Sequence, residues 1–233
     1  MITENRLDMN EIHFIKNIHF DERLASDDNR PKACSAFLRQ GDLDHGCAIY
    51  SLLMMLIINK KATRYDLECN KATKGFPSII RLKKEFLSDI PGVYKEGLFF
   101  TDIADRLASS YAKKATATSF TTDKNIAGNL ISKDELNGKI KETIDAGFPI
   151  QIGFTYKNTG GGHSVVAIGY AEYKTRMQLF CLDPGYDLPA TSLWNSIVDM
   201  EQDTSTKARF TDCYLTNDNS PRNVCVDEIL TID

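Results

Sequence analysis

The stretch Ala48–Ile58, AIYSLLMMLII, is apolar at almost every position. Helix is expected from about Gly46 to Asn59. Such a helix has Ile49, Leu52, Leu53 and Leu56 on one side and Met54, Met55, Ile57 and Ile58 on the others. A helix without a polar face must run through a core, so the other elements have to be built around it. The run is too short to span a bilayer. A chain of 233 residues can bury a core of that size in one large domain.

Helical spacing continues beyond this segment. Further helices are expected near Arg64–Ala72, Pro77–Ser88 and Asp102–Tyr111, the last with Thr101 as N-cap and Ile103, Leu107 and Tyr111 on one face. Ser132 and Glu135 form a capping box that opens a helix ending near Gly147. Then the period changes. Pro149–Tyr156, His163–Glu172, Met177–Asp183, Ala208–Thr216 and Asn223–Ile232 are rich in β-branched and aromatic residues and are expected as strands. A turn at Tyr173–Arg176 pairs the second and third as a hairpin. Helices first and an antiparallel sheet afterwards make an α+β fold with the helices packed to one side. The expected organisation is a single domain over 1–233: a polar, irregular N-terminal arm (1–35), a mainly helical part (36–147) and a β-sheet part (148–233). The arm, with Asn29-Arg30-Pro31 near its end, is either a fixed part of the domain or a removable blocking segment. It is short for a folded inhibitor, which favours the first.

A net charge of −4 gives no reason to expect nucleic acid or an anionic membrane as partner. Glu4, Asp8 and Glu11 interrupt the N-terminus, so it is not a signal peptide of the usual kind. The expected location is cytoplasmic, or outside the cell by a route that needs no signal peptide. The six cysteines are scattered without a Cys-x-x-Cys pair, so neither a zinc site nor a disulfide framework is expected. No cofactor is expected. The oligomeric state is left open.

Cys47 stands at the start of the apolar helix. There the unpaired backbone N–H groups and the helix dipole favour an anion and hence a thiolate, the nucleophilic form. A thiolate in acyl transfer needs a base that later becomes the acid, a role suited to histidine. Of the four histidines, His13 and His19 lie in the polar arm, and His45 either lines the cleft or acts. His163 opens a strand directly after Gly160-Gly161-Gly162. Asp183 ends the paired strand, just before Pro184. With the turn centred near Lys174, Asp183 should lie opposite His163 at the same end of the hairpin and orient its ring. The Cys47 amide and the Gln40 side chain can supply donors for an oxyanion. Each residue also has an ordinary structural role: a core cysteine, a strand histidine, an Asp capping a turn, a solvated loop amide. Trp194 and Tyr186 either line the cleft or pack in the core. What favours chemistry is their joint occurrence in this order.

Gln40, Cys47-Ala48-Ile49-Tyr50-Ser51-Leu52-Leu53-Met54, Gly162-His163-Ser164-Val165-Val166-Ala167-Ile168-Gly169-Tyr170 and Leu182-Asp183-Pro184 together resemble the papain-like cysteine peptidases, in particular their C39-like branch. The resemblance covers roughly Gln40 to Pro184. It implies Cys47 as nucleophile, His163 as general base and acid, Asp183 as orienting group and Gln40 in the oxyanion hole. It also implies a helical part facing a sheet part across a cleft. The activity expected is hydrolysis of peptide or isopeptide bonds in a protein or peptide substrate through an acyl-enzyme. Two alternatives use the same site. One is deamidation or transglutamination of a protein glutamine, as in bacterial effectors of this general fold. The other is a catalytically silent domain that binds a partner.

Overall fold

The computed structural model describes residues 11–21, 23–26, 35–41, 46–68, 77–87, 98–203, 208–218 and 220–233. In chain order the elements are β1 (Ile12–Phe14), β2 (Ile18–Asp21), β3 (Arg23–Ser26), α1 (Cys47–Ile58), α2 (Arg64–Glu68), α3 (Pro77–Phe86) and α4 (Phe100–Tyr111). Then follow β4 (Ala117–Thr121), β5 (Asn129–Leu130), α5 (Lys133–Asp145), β6 (Ile150–Tyr156), β7 (Gly162–Tyr173), β8 (Arg176–Leu182), β9 (Ser196–Glu201), β10 (Asp212–Thr216) and β11 (Arg222–Ile232).

The α+β papain-like arrangement expected from the sequence, with a helical part packed on an open C-terminal sheet, is overturned. Strands β6 to β11 each pair antiparallel with the next, and β11 returns to pair with β6, closing a six-stranded antiparallel barrel. Two features of the chain cause the closure. Strand β11 is long enough to hold β10 through Arg222–Val224 on one edge and β6 through Val224–Leu230 on the other. Strand β9, which the expected strand set lacked, fills the gap between β8 and β10. Extra strands extend the barrel. β4 continues along β11 beyond β10, and β5 adds parallel to β4.

The described part of the N-terminal segment is not irregular. β1 pairs with β7 through Phe14 and Gly169, and β2 and β3 form a hairpin. Nothing but glycine fits at 169, because a Cβ there would stand 2.6 Å from the His13 carbonyl oxygen and 2.5 Å from the Phe14 ring. The stretch expected to be mainly helical also contains β4 and β5.

Where they are described, the expected helices form with small changes of boundary; residues 69–72 of the second and Ser88 of the third lie outside the described residues. The Ser132/Glu135 capping box is present, with both reciprocal hydrogen bonds. Helix α4 starts earlier than expected, at Phe100. Its N-cap is Phe99 and not Thr101, and no side chain caps it. In α1 all residues but Cys47 and Tyr50 are buried. The helix lies against the outer face of β6 and β7. Three hydrogen bonds tie its first turns to that face. The Gln151 amide Nε2 donates to the Ala48 carbonyl (2.9 Å) and to Ser164 Oγ (2.9 Å), and Ser51 Oγ donates to the Ser164 carbonyl (3.2 Å). No helix among the described residues is long and apolar enough to cross a membrane.

Candidate active site

Cys47 is the first residue of α1, so its position is that of the helix start, and the Gln151 bridge fixes that start relative to β7. His163 is the second residue of β7, next to the bridged Ser164. One buried amide therefore holds the residue after the cysteine and the residue after the histidine together. The Cys47 thiol faces the His163 ring closely enough to act on its charge. On the ring's other side Nε2 lies 2.9 and 3.0 Å from the two oxygens of Asp183. A nitrogen between two carboxylate oxygens carries the proton and donates, which leaves Nδ1 for Cys47.

Asp183 reaches His163 by a route that differs from the direct opposition expected. The β7–β8 register runs from Tyr173↔Arg176 to Gly169↔Phe180, then slips by one residue so that Ala167 faces Cys181 and Val166 faces Leu182. The extra residue is Ile168. Next in line, Asp183 falls level with Val165, on the same face as His163, and reaches it diagonally. Without the bulge Asp183 would fall level with Val166 and point to the opposite face, because side chains alternate along a strand.

The Asp183 side chain has no exposure to solvent. Besides His163, its carboxylate accepts from the Tyr214 hydroxyl and from the Gly185 N–H (2.6 Å). Its backbone N–H donates to Asn195 Oδ1 (2.7 Å), and Asn195 Nδ2 donates back to its carbonyl (2.8 Å) and to that of Tyr186 (2.9 Å). Burial acts to raise the Asp183 pKa, but His163, Tyr214 and Gly185 outweigh it and hold the carboxyl below its ordinary value. Burial acts against a charged His163. The Asp183 carboxylate and the Cys47 thiol overcome it and push the histidine up to about 10. Phe154, Tyr156 and Tyr214 surround the imidazole with ring centroids 5.5 to 6.2 Å away. Burial and the neighbouring Asp183 raise the Tyr214 hydroxyl far above its ordinary value, so it stays a donor.

Gln40 lies with Cys47 and His163 on the wall of one cavity of about 530 Å³. Its Oε1 is buried without a hydrogen-bond partner among the described residues. Its loop is tied to the Asp183 segment. The Gln40 N–H donates to the Pro184 carbonyl (2.9 Å), and the Arg39 guanidinium bonds the carbonyls of Gln40 (2.9 Å) and Pro184 (3.1 Å). The cavity wall continues through Leu98, Phe99, Phe100, Gly153, Asp227 and Glu228.

Other residues singled out in the sequence lie elsewhere. His13 Nδ1 bonds Asp145 (2.9 Å) and its ring stacks on Tyr170. Trp194 packs on Phe14 and Phe180, and Tyr186 packs against the core. His45, Asn29, Arg30 and Pro31 fall outside the described residues, as do Cys34 and Cys69. Sequence reasoning missed Tyr214, Asn195 and Gln151. Nothing local marks them, since each is a polar residue in or beside a strand whose partner is distant in the chain.

No match was found among curated proteins. A family model, that of the Peptidase_C39 like family, matches residues 35–216, a span that contains Gln40, Cys47, His163, Asp183, Asn195 and Tyr214. The match covers well over half of the chain, so the chain belongs to the Peptidase_C39 like family.

Proposed function

We propose that this chain is a cysteine hydrolase that cleaves peptide or isopeptide bonds in a protein or peptide substrate. The observation that carries this reading is that the Asp183 carboxylate holds the His163 ring on one side while Cys47, on the wall of the same cavity, acts on that ring from the start of α1.

In the resting site the Cys47 proton already sits on His163 Nδ1, and Asp183 stabilises this imidazolium through Nε2–H, leaving a thiolate. The thiolate adds to the substrate carbonyl carbon. The Cys47 N–H, which lies in the first turn of α1 and has no intrahelical acceptor, and the Gln40 side-chain amide donate to the developing oxyanion. The tetrahedral intermediate expels the amine as His163 returns the proton to it, leaving a thioester on Cys47. A water molecule then gives a proton to His163 and adds to the thioester. Collapse releases the carboxylic acid and the thiolate, and the proton that the water gave stays on His163, restoring the starting pair. Gln40 thus acts on charge that develops during reaction, Asp183 stabilises the imidazolium, and Gln151 keeps the thiol and the ring at a fixed separation.

Iodoacetamide at mildly acidic pH tests the nucleophile. Burial raises the thiols of Cys181, Cys213 and Cys225 above their ordinary value. Cys47 is expected to be alkylated ahead of these three, and His163→Ala to slow that alkylation. Equal labelling of all four sinks the assignment. Incubation with a mixture of unfolded proteins, followed by mass spectrometry of new chain termini, tests the reaction. Termini that appear with the native chain and not with Cys47→Ala are the expected result. Conversion of glutamine to glutamate without cleavage would replace the hydrolase reading with the deamidase one.

A further inference from the structure

The cavity that holds Cys47 and His163 is also lined by two carboxylates, Asp227 and Glu228. Glu228 stands on β11 level with Gly153 of β6, and Gly153 stands level with Ser164 of β7, the neighbour of His163. Two strand spacings, roughly 10 Å, therefore separate Glu228 from Ser164, and the row of His163 itself runs through Phe154 to Val226. The register of β11 slips between Val226 and Glu228, which places Asp227 in the bulge beside it. Asp227 is already held. Thr155 Oγ1 donates to it (3.0 Å), and Arg209 lies 3.9 Å away. Glu228 is different: its side chain has no hydrogen bond or ion pair among the described residues. Burial and then the charge of Asp227 push its carboxyl up to about 7, the behaviour of an acid that lacks a counter-charge.

Glycine at 153 lets the Phe100 ring and Glu228 close over β6. A Cβ there would come within 3.1 Å of both the Glu228 Cβ and the Phe100 ring. Apolar side chains share the cavity wall with these groups: Leu98, Phe99, Phe100 and Ile126. Phe99 is 64 % exposed at the cavity wall, an aromatic surface without a partner among the described residues. A cavity that combines an apolar wall with a carboxylate lacking a side-chain partner fits a side chain with a long apolar stem and a cationic head.

We infer that Glu228 is the specificity-determining residue of this cleft and selects substrates carrying a lysine or arginine side chain close to the bond that Cys47 attacks. The inference rests on the proposed function of Cys47, and the two can fail separately. Burying a cation against Glu228 supplies the partner that the carboxylate lacks, whereas an uncharged chain of the same shape leaves it unpaired.

The test uses tripeptide acyloxymethyl ketones, which alkylate a reactive thiol. Each position in turn carries lysine, its uncharged isostere norleucine, or glutamate, and intact mass gives the rate of Cys47 modification. At one position lysine is expected to react about ten-fold faster than norleucine. Glu228→Gln should abolish that ratio, and Glu228→Lys should reverse it in favour of glutamate. A reversed preference also shows that the variant is folded. Equal rates for lysine and norleucine at all three positions, or a preference that survives in Glu228→Gln, overturn the inference while leaving the nucleophile intact. Failure of every probe to modify Cys47 overturns the proposed function and this inference with it.

Discussion

Asp183 is a carboxylate without access to water, and its charge depends on three donors: the His163 ring, the Tyr214 hydroxyl and the Gly185 N–H. Removing one of them leaves part of a buried charge unsatisfied. Tyr214→Phe keeps the ring packing and deletes only the hydroxyl, so it should cost about 1–3 kcal/mol of stability, measurable by urea unfolding. The same change removes one of the interactions that lower the Asp183 pKa. The acidic limb of the activity profile should then move to higher pH. A stability loss with an unmoved acidic limb would assign Tyr214 to packing alone.

At the scale of elements, β7 carries the most constraint. It pairs with β6 along its first half, with β1 along its second half and with β8 on its other edge. Ile168 and Gly169 sit where these pairings change. The bulge at Ile168 decides which face Asp183 occupies, and Gly169 lets the β1 backbone close on the strand. Gly169→Ala must push β1 away or bend β7. The expected cost is about 1–3 kcal/mol, read as a lower midpoint of thermal unfolding. An unchanged midpoint would mean that β1 adds nothing to the barrel. The effect of this substitution on Cys47 alkylation should be smaller than that of His163→Ala, because β1 touches neither the thiol nor the imidazole.

For the whole molecule, the shifted groups predict how stability depends on pH. His163 is raised from an ordinary 6.5 to about 10, so its contribution is complete below 6.5 and is lost as pH climbs towards 10. Asp227 and Glu228 are raised from 3.8 and 4.5 to about 6 and about 7. The folded state holds these two protons longer than the unfolded state does, so stability falls as pH rises through those intervals. Asp183 works in the opposite sense. Its carboxyl is lowered, and its contribution is lost as pH falls below the ordinary range. Stability should therefore decline from weakly acidic to alkaline pH, as followed by urea midpoints across a pH series. Glu228→Gln should remove the part of that decline between 4.5 and about 7. A midpoint that rises over this interval would contradict the burial of both acids.

The amino-acid sequence by itself determined the local elements: the apolar helix behind Cys47, the capping box at Ser132, the change from helical to alternating period after Gly147, and the order Gln40, Cys47, His163, Asp183. Those follow from spacing and side-chain type, which act over a few residues. Tertiary structure decided the rest. Closure of the barrel depends on pairing β11 with β6, far apart in the chain, and an open sheet has the same alternation as a closed one. The slip at Ile168 follows from how β7 fits three neighbours at once. The Gln151 bridge and the Tyr214 hydroxyl acquire their roles only after strands distant in sequence lie side by side, because a buried polar group has no role until its partner is beside it.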